Sequence, residues 1–149
     1  MLNVNRNLRI VRASALYDLL VTAPFMTPWT AALCLQGFAT LSNALALERP
    51  VPIPDVTAML FANLLGSIVV VWSMWRLKQP SRQVGLFDAA ARVLFALWQL
   101  YAVKQGASFL LLGFTFFEVI FAVAQALPIH TASTRQSASA PLSQPSSVT

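Results

Sequence analysis

Five polar side chains, Asp18, Asp88, Arg92, Gln99 and Glu118, sit inside long apolar runs. A charged side chain at the centre of a bilayer costs about 2.5–3.5 kcal/mol on insertion scales, so such residues turn toward protein and toward one another. Their spacing fits that demand. Asp88, Arg92 and Gln99 stand at offsets 0, +4 and +11, which at about 100° per residue places them within roughly 40° on a helix. Glu118 shares a stripe with Gln125, seven positions on. Brought together, these groups make a candidate ligand or proton site, with Glu118 able to move a proton and Arg92 able to hold an anionic group. The competing reading is a structural network that fixes helix register. It weighs more for Asp18 and Asp88, which lie near the ends of their runs; Asp88 also suits a helix N-terminus. Three acids against one arginine do not balance.

The elements that must position these groups are membrane helices. The 149 residues are 57% hydrophobic and 10% charged, where a soluble domain carries about 25% charge. The mean hydropathy is +0.66. We read an all-α integral membrane bundle of four transmembrane helices, with spans at about 13–36, 58–75, 86–103 and 107–127. A basic N-terminal segment, 1–12, precedes them. A Ser/Thr/Ala/Pro/Gln-rich tail, 128–149, cannot bury enough apolar area to offset its ordering entropy and is expected to be disordered. The start resembles a signal peptide, but Asp18, Pro24 and Pro28 interrupt the apolar run, so it is read as a span. Each proline removes a helix hydrogen bond, freeing the carbonyls of Leu20 and Pro24, so the first helix is expected to kink. Gly66 is a candidate point of close helix contact. Trp72 and Trp75, beside Arg76, suit an interfacial belt.

Charge placement sets orientation. With four spans and both termini cytoplasmic, Arg6, Arg9, Arg12, Arg76, Lys78, Arg82 and Arg135 lie inside, and Arg49 and Lys104 outside. A double crossing between residues 13 and 46 would destroy that bias, so one crossing is expected. The net charge of +5 therefore reflects membrane anchoring, and no patterned basic surface for nucleic acid exists. His130 is the only histidine and Cys34 the only cysteine, so a metal or haem site is not expected. There is no Gly-rich phosphate loop and no Gly-x-Ser-x-Gly, and no cofactor is expected.

The length, the helix count and a second span containing Leu64-Leu65-Gly66 and ending in Trp75-Arg76-Leu77 resemble small bacterial four-helix membrane proteins of the DoxX-like type. The resemblance covers residues 13–127 as a pattern and implies a multi-pass protein of the bacterial inner membrane, some of whose relatives serve respiratory or redox complexes. It carries over no catalytic residue. Three functions remain open. One is a non-enzymatic accessory subunit, or binder of a lipid-like ligand, whose partners are the bilayer and a membrane protein. Another is a membrane enzyme acting on a lipid or quinone through Glu118 and Arg92. The last is a small transporter or proton carrier working as a homo-oligomer, because one four-helix bundle has little room for alternating access.

Overall fold

The computed structural model describes residues 2–47, 49 and 51–130. The tail from residue 131, including Arg135, and Glu48 and Pro50 of the proline-rich loop lie outside them. Five helices make up most of the described chain: α1 (Val4–Thr22), α2 (Pro28–Ala44), α3 (Val56–Lys78), α4 (Arg82–Lys104) and α5 (Leu111–Ala126). A 3-10 turn, Ala23–Met26, joins α1 to α2. A parallel bridge of two residues a side pairs Leu2–Asn3 with Ile129–His130, too short to form a layer of its own.

Local chemistry fixes most boundaries. Asp55 caps α3, its Oδ1 accepting from the Ala58 N–H at 2.7 Å. Ser81 caps α4, its Oγ accepting from the Val84 N–H at 3.2 Å. Gly106 ends α4 at φ +106°, with the Ala107 N–H bonded to the Ala102 carbonyl and the Gly106 N–H to that of Val103. That pair of bonds is a Schellman motif. Ala46 closes α2 through the same motif at φ +50°.

α3 and α4 have 23 residues each and are long and apolar enough to cross a membrane. α1 and α2 meet the same criteria only when taken together, across a bend of 113°, as a broken span or a re-entrant loop. α5 is apolar but has 16 residues, about 24 Å against a hydrocarbon core of about 30 Å.

The first segment departs most from the sequence-based expectation. The basic segment 1–12 is not a separate element, since α1 begins at Val4 and carries Arg6, Arg9 and Arg12 on its exposed face. The bend falls between Pro24 and Pro28 as expected, but it turns the helix through more than a right angle. Other groups take up the backbone there. The Pro24 carbonyl accepts from the Thr30 hydroxyl, and the Phe25 carbonyl accepts from Asn63 Nδ2 at 2.8 Å. The turn seats on α3 at Gly66, where a Cβ would stand 2.7 Å from Phe25 Cβ and 2.9 Å from its backbone. Gly66 is thus the point of close contact anticipated.

α4 and α5 form an antiparallel hairpin: Gln99 meets Thr115, Arg92 meets Glu118, and Asp88 meets Gln125. α1 lies between this hairpin and α3. It runs parallel to α4 at a constant offset, Val11 facing Gly85, Ser14 facing Asp88 and Asp18 facing Arg92. The α1–α2 pair therefore starts beside the α3–α4 turn. It ends beside the α4–α5 turn, where Ser42 Oγ lies 3.4 Å from Ser108 Oγ. The interior is small and polar for a domain of this size, and most large apolar side chains of α3, α4 and α5 face outward. Such an inverted surface is stable only where lipid replaces water.

Candidate functional site

The buried charges converge where α1, α3, α4 and α5 meet. Arg92 is the hub. Its Nε lies 3.0 Å from Asp88 Oδ2, its Nη2 2.6 Å from Asp18 Oδ2 and its Nη1 2.7 Å from Glu118 Oε2. One guanidinium thus ties three carboxylates carried by three helices. The planar fork of arginine, with donors on three nitrogens, permits this; a lysine ammonium has no such reach. The Phe121 ring lies beneath the guanidinium, 5.0 Å from its centre, an added cation–π contact.

A second guanidinium completes the cluster. Arg76 is fully buried. Its Nη1 sits 2.6 Å from Asp88 Oδ1, and its Nη2 is paired with Asp18. Nη2 also donates to Ser73 Oγ at 3.0 Å, and Nη1 to Ser14 Oγ at 3.2 Å. This corrects the sequence reading, which placed Arg76 in the cytoplasmic anchor with Lys78 and Arg82. It also changes the charge count. The interior holds three carboxylates and two guanidiniums, one negative charge in excess rather than two.

Neutral groups fill the remaining positions. Gln125 Nε2 donates to Asp88 Oδ2 at 2.8 Å and to Ser14 Oγ. Trp72 Nε1 lies 3.4 Å from Asp88 Oδ1. Asp88 therefore accepts from α1, α3, α4 and α5, through Ser14, Arg76 and Trp72, Arg92, and Gln125. Tyr17 closes the side toward α5, its ring 5.2 Å from Phe117 and 5.5 Å from Phe121. Its hydroxyl, Gln125 Oε1 and Arg76 Nε are buried and find no hydrogen-bond partner among the described residues.

Of the five candidates, Asp18, Asp88, Arg92 and Glu118 come together in this one cluster. Gln99 does not. It stands about 10 Å further along α4 at 1.5 Å per residue, where its Oε1 accepts from the Thr115 hydroxyl at 2.8 Å. Sequence reasoning missed Arg76, Ser14 and Trp72 as members. Signals for two of them existed. Ser14 lies one turn before Asp18, and the buried positions Gly66, Val70, Ser73 and Arg76 form a single face of α3. Trp72 carried no such signal, because only its indole nitrogen turns inward.

The cluster has few options as chemistry. Among the described residues no group of histidine, cysteine and carboxylate side chains is arranged to hold a metal ion. Both guanidiniums are occupied by the chain's own carboxylates. Beside the cluster, on the outer side of α3, Ser67, Ile68, Val71, Trp72 and Trp75 line an open apolar groove. The two indoles lie 5.1 Å apart. Trp72 joins groove and cluster, its ring on one and its N–H on the other. No family model, curated protein or solved structure matches the chain.

Proposed function

We propose that the chain is a four-crossing protein of a bacterial inner membrane, of the DoxX-like type, with both termini cytoplasmic. We assign it a role without catalysis, as a binder of a lipid-like ligand or an accessory subunit of a membrane partner. Three facts support four crossings. α3 and α4 have the length and hydropathy for a crossing each. α1 and α2 run between opposite ends of the bundle, which fits a single broken crossing. α5, helped by the turn at Ser108–Leu110 before it, lies antiparallel to α4 over most of its length. Charge supports the orientation: Arg6, Arg9, Arg12, Lys78 and Arg82 gather at the end where α1 begins and α5 finishes, and Arg49 and Lys104 at the other.

The observation that carries the non-catalytic reading is that both guanidiniums are paired with the chain's own carboxylates. Every carboxylate of the cluster is spoken for by Arg76 or Arg92, so the cluster acts as the pin of the bundle. The apolar groove with Trp72 and Trp75 is left as the binding surface, suited to an acyl or isoprenoid chain. Mass spectrometry of small molecules that co-purify with the detergent-extracted protein tests this. A lipid or quinone retained by wild type and Glu118→Gln but lost on Val71→Trp, which fills the groove, is the expected result. No ligand in wild type would leave only the accessory-subunit role.

One observation favours a second reading. The cluster keeps one carboxylate in excess, and Glu118 is held by Arg92 alone. A membrane enzyme with Glu118 as acid/base, or an oligomeric proton carrier, needs such a group. Loss of the co-purifying ligand from a stably folded Glu118→Gln would move the site into the cluster and support the enzyme.

A further inference from the structure

We propose that the ligand of the α3 groove is an anionic phospholipid, its phosphate held by Lys78 and Arg12 and an acyl chain laid along Ser67, Ile68 and Val71. The inference rests on the groove reading above and gives its ligand a chemical class. A groove lined by Ser67, Ile68, Val71, Trp72 and Trp75 accepts any apolar chain, so selection falls to what stands at its mouth. Lys78 stands there. It is the last residue of α3 and is exposed. It follows Ser67 by eleven positions and Val71 by seven, which at about 100° per residue puts all three within roughly 40° of one another. Lys78 therefore continues the groove, about 10 Å beyond Val71 at 1.5 Å per residue. Trp75, one turn earlier, is of the type that settles where hydrocarbon gives way to headgroups, so the Lys78 ammonium reaches the level of the phosphates.

α1 brings a second cation to the same level. It runs antiparallel to α3, with Phe25 against Gly66 and Ser14 against Arg76. Arg12 comes two residues before Ser14, and Lys78 two residues after Arg76, so the two stand level on neighbouring helices. Each lies about 160° round its helix from that cluster residue, turned out of the cluster, and both are exposed. Arg9, also exposed, follows one turn further out along α1. No acid competes for these cations. Residues 1–17, 56–87 and 119–149 contain no Asp or Glu, and Asp18 and Asp88 are paired inward with Arg76 and Arg92. Arg82, by contrast, is engaged by the chain itself, donating to the carbonyls of Gln125 and Ala126.

An apolar track that ends in two level cations fits an amphiphile with an anionic head. The guanidinium fork matches two oxygens of a phosphate, and the ammonium adds a point charge. Basic positions between membrane helices hold anionic headgroups in this way. A quinone head is uncharged and calls for neither cation, and free phosphate has no chain for the groove.

The test uses the full chain in phosphatidylcholine vesicles with Trp29→Phe and Trp98→Phe, both at exposed positions, so that Trp72 and Trp75 report on the groove. A minor fraction of the lipid carries brominated chains, which quench tryptophan on contact, under either a phosphatidylglycerol or a phosphatidylcholine head. The brominated phosphatidylglycerol should bind about twentyfold more tightly, and Lys78→Gln and Arg12→Gln should each lower that preference about fivefold. Arg6→Gln, exposed but about 120° round α1 from Arg12, should leave it unchanged. Val71→Phe, which fills the groove, should abolish the excess quenching. Equal quenching under the two heads, lost on Val71→Phe, keeps the groove reading and overturns the phospholipid. A preference that falls as far with Arg6→Gln as with Lys78→Gln is attraction to a basic surface at large and also overturns the site. Quenching that Val71→Phe leaves untouched under both heads means that the groove holds no chain, and the groove reading falls with the proposal.

Discussion

Arg92 and Glu118 form one ion pair, yet they are unequal partners. Arg92 pairs with three carboxylates, whereas among the described residues Glu118 pairs with Arg92 only. Arg92→Ala leaves three acids facing one guanidinium, and breaking buried pairs in this way costs about 3–5 kcal/mol. Glu118→Gln keeps the side-chain volume, leaves an oxygen to accept from Arg92, and removes the surplus charge, so a loss below about 1 kcal/mol is expected. Chemical unfolding in detergent compares the two, and equal losses would mean that charge balance plays no part in holding the bundle. At this scale the sequence was informative in one direction. Intramembrane charges betray themselves because their surroundings are apolar, so Asp18, Asp88, Arg92 and Glu118 could be read directly. Arg76 could not, because an arginine after an apolar run has the same local pattern whether it snorkels to the headgroups or turns inward. Only the position of Ser14 and Asp18 on the neighbouring helix decides it.

Helix α3 was legible because it is an unbroken apolar run, and α4 because its two inner charges, Asp88 and Arg92, leave a long apolar run after them; turn residues follow both, and their caps and turns sharpen the ends. The path of residues 13–46 was only half legible. Two prolines announce a bend but not its size, which is set by what receives the freed carbonyls. Asn63 and Gly66 on α3 receive Phe25. This yields a contrast between two glycines. At Gly66 an added Cβ runs into Phe25 backbone and Cβ, which cannot swing aside. At Gly85 it meets only Val11 Cγ2, the far end of a side chain, at 2.8 Å. Gly66→Ala should cost about 1–3 kcal/mol of stability by overpacking, and Gly85→Ala markedly less, in the same unfolding assay. Similar values would mean that the turn does not press on α3. The end of α2 offers the opposite case. Ala46 holds a left-handed conformation that costs an L-residue about 1 kcal/mol, so Ala46→Gly should raise stability by up to about 1 kcal/mol. A neutral or negative result would show that the Schellman turn does not persist in the membrane.

For the whole molecule the open question is how often the chain crosses the bilayer before α3. A single broken crossing puts Arg9 and Gln83 on the same side and Gln105 on the other. A re-entrant or double passage through α1 and α2 would put Arg9 opposite Gln83. All three positions are exposed, so Arg9→Cys, Gln83→Cys and Gln105→Cys, each in a Cys34→Ala background, report topology directly. With intact cells and an impermeant thiol reagent, Gln105→Cys should label at once, and the other two only after permeabilisation. The physical basis is joint. The basic residues at the α3–α4 end of the bundle outnumber those at the other, which favours keeping that end in the cytoplasm. The parallel register of α1 with α4, from Val11–Gly85 to Asp18–Arg92, fixes the direction in which α1 enters. Labelling of Arg9→Cys and Gln83→Cys from opposite sides would break that register, and with it the cluster that depends on Ser14 and Asp18 facing Asp88 and Arg92. The topology measurement therefore tests more than orientation, because the buried charges can meet only if α1 and α4 enter the bilayer from the same face.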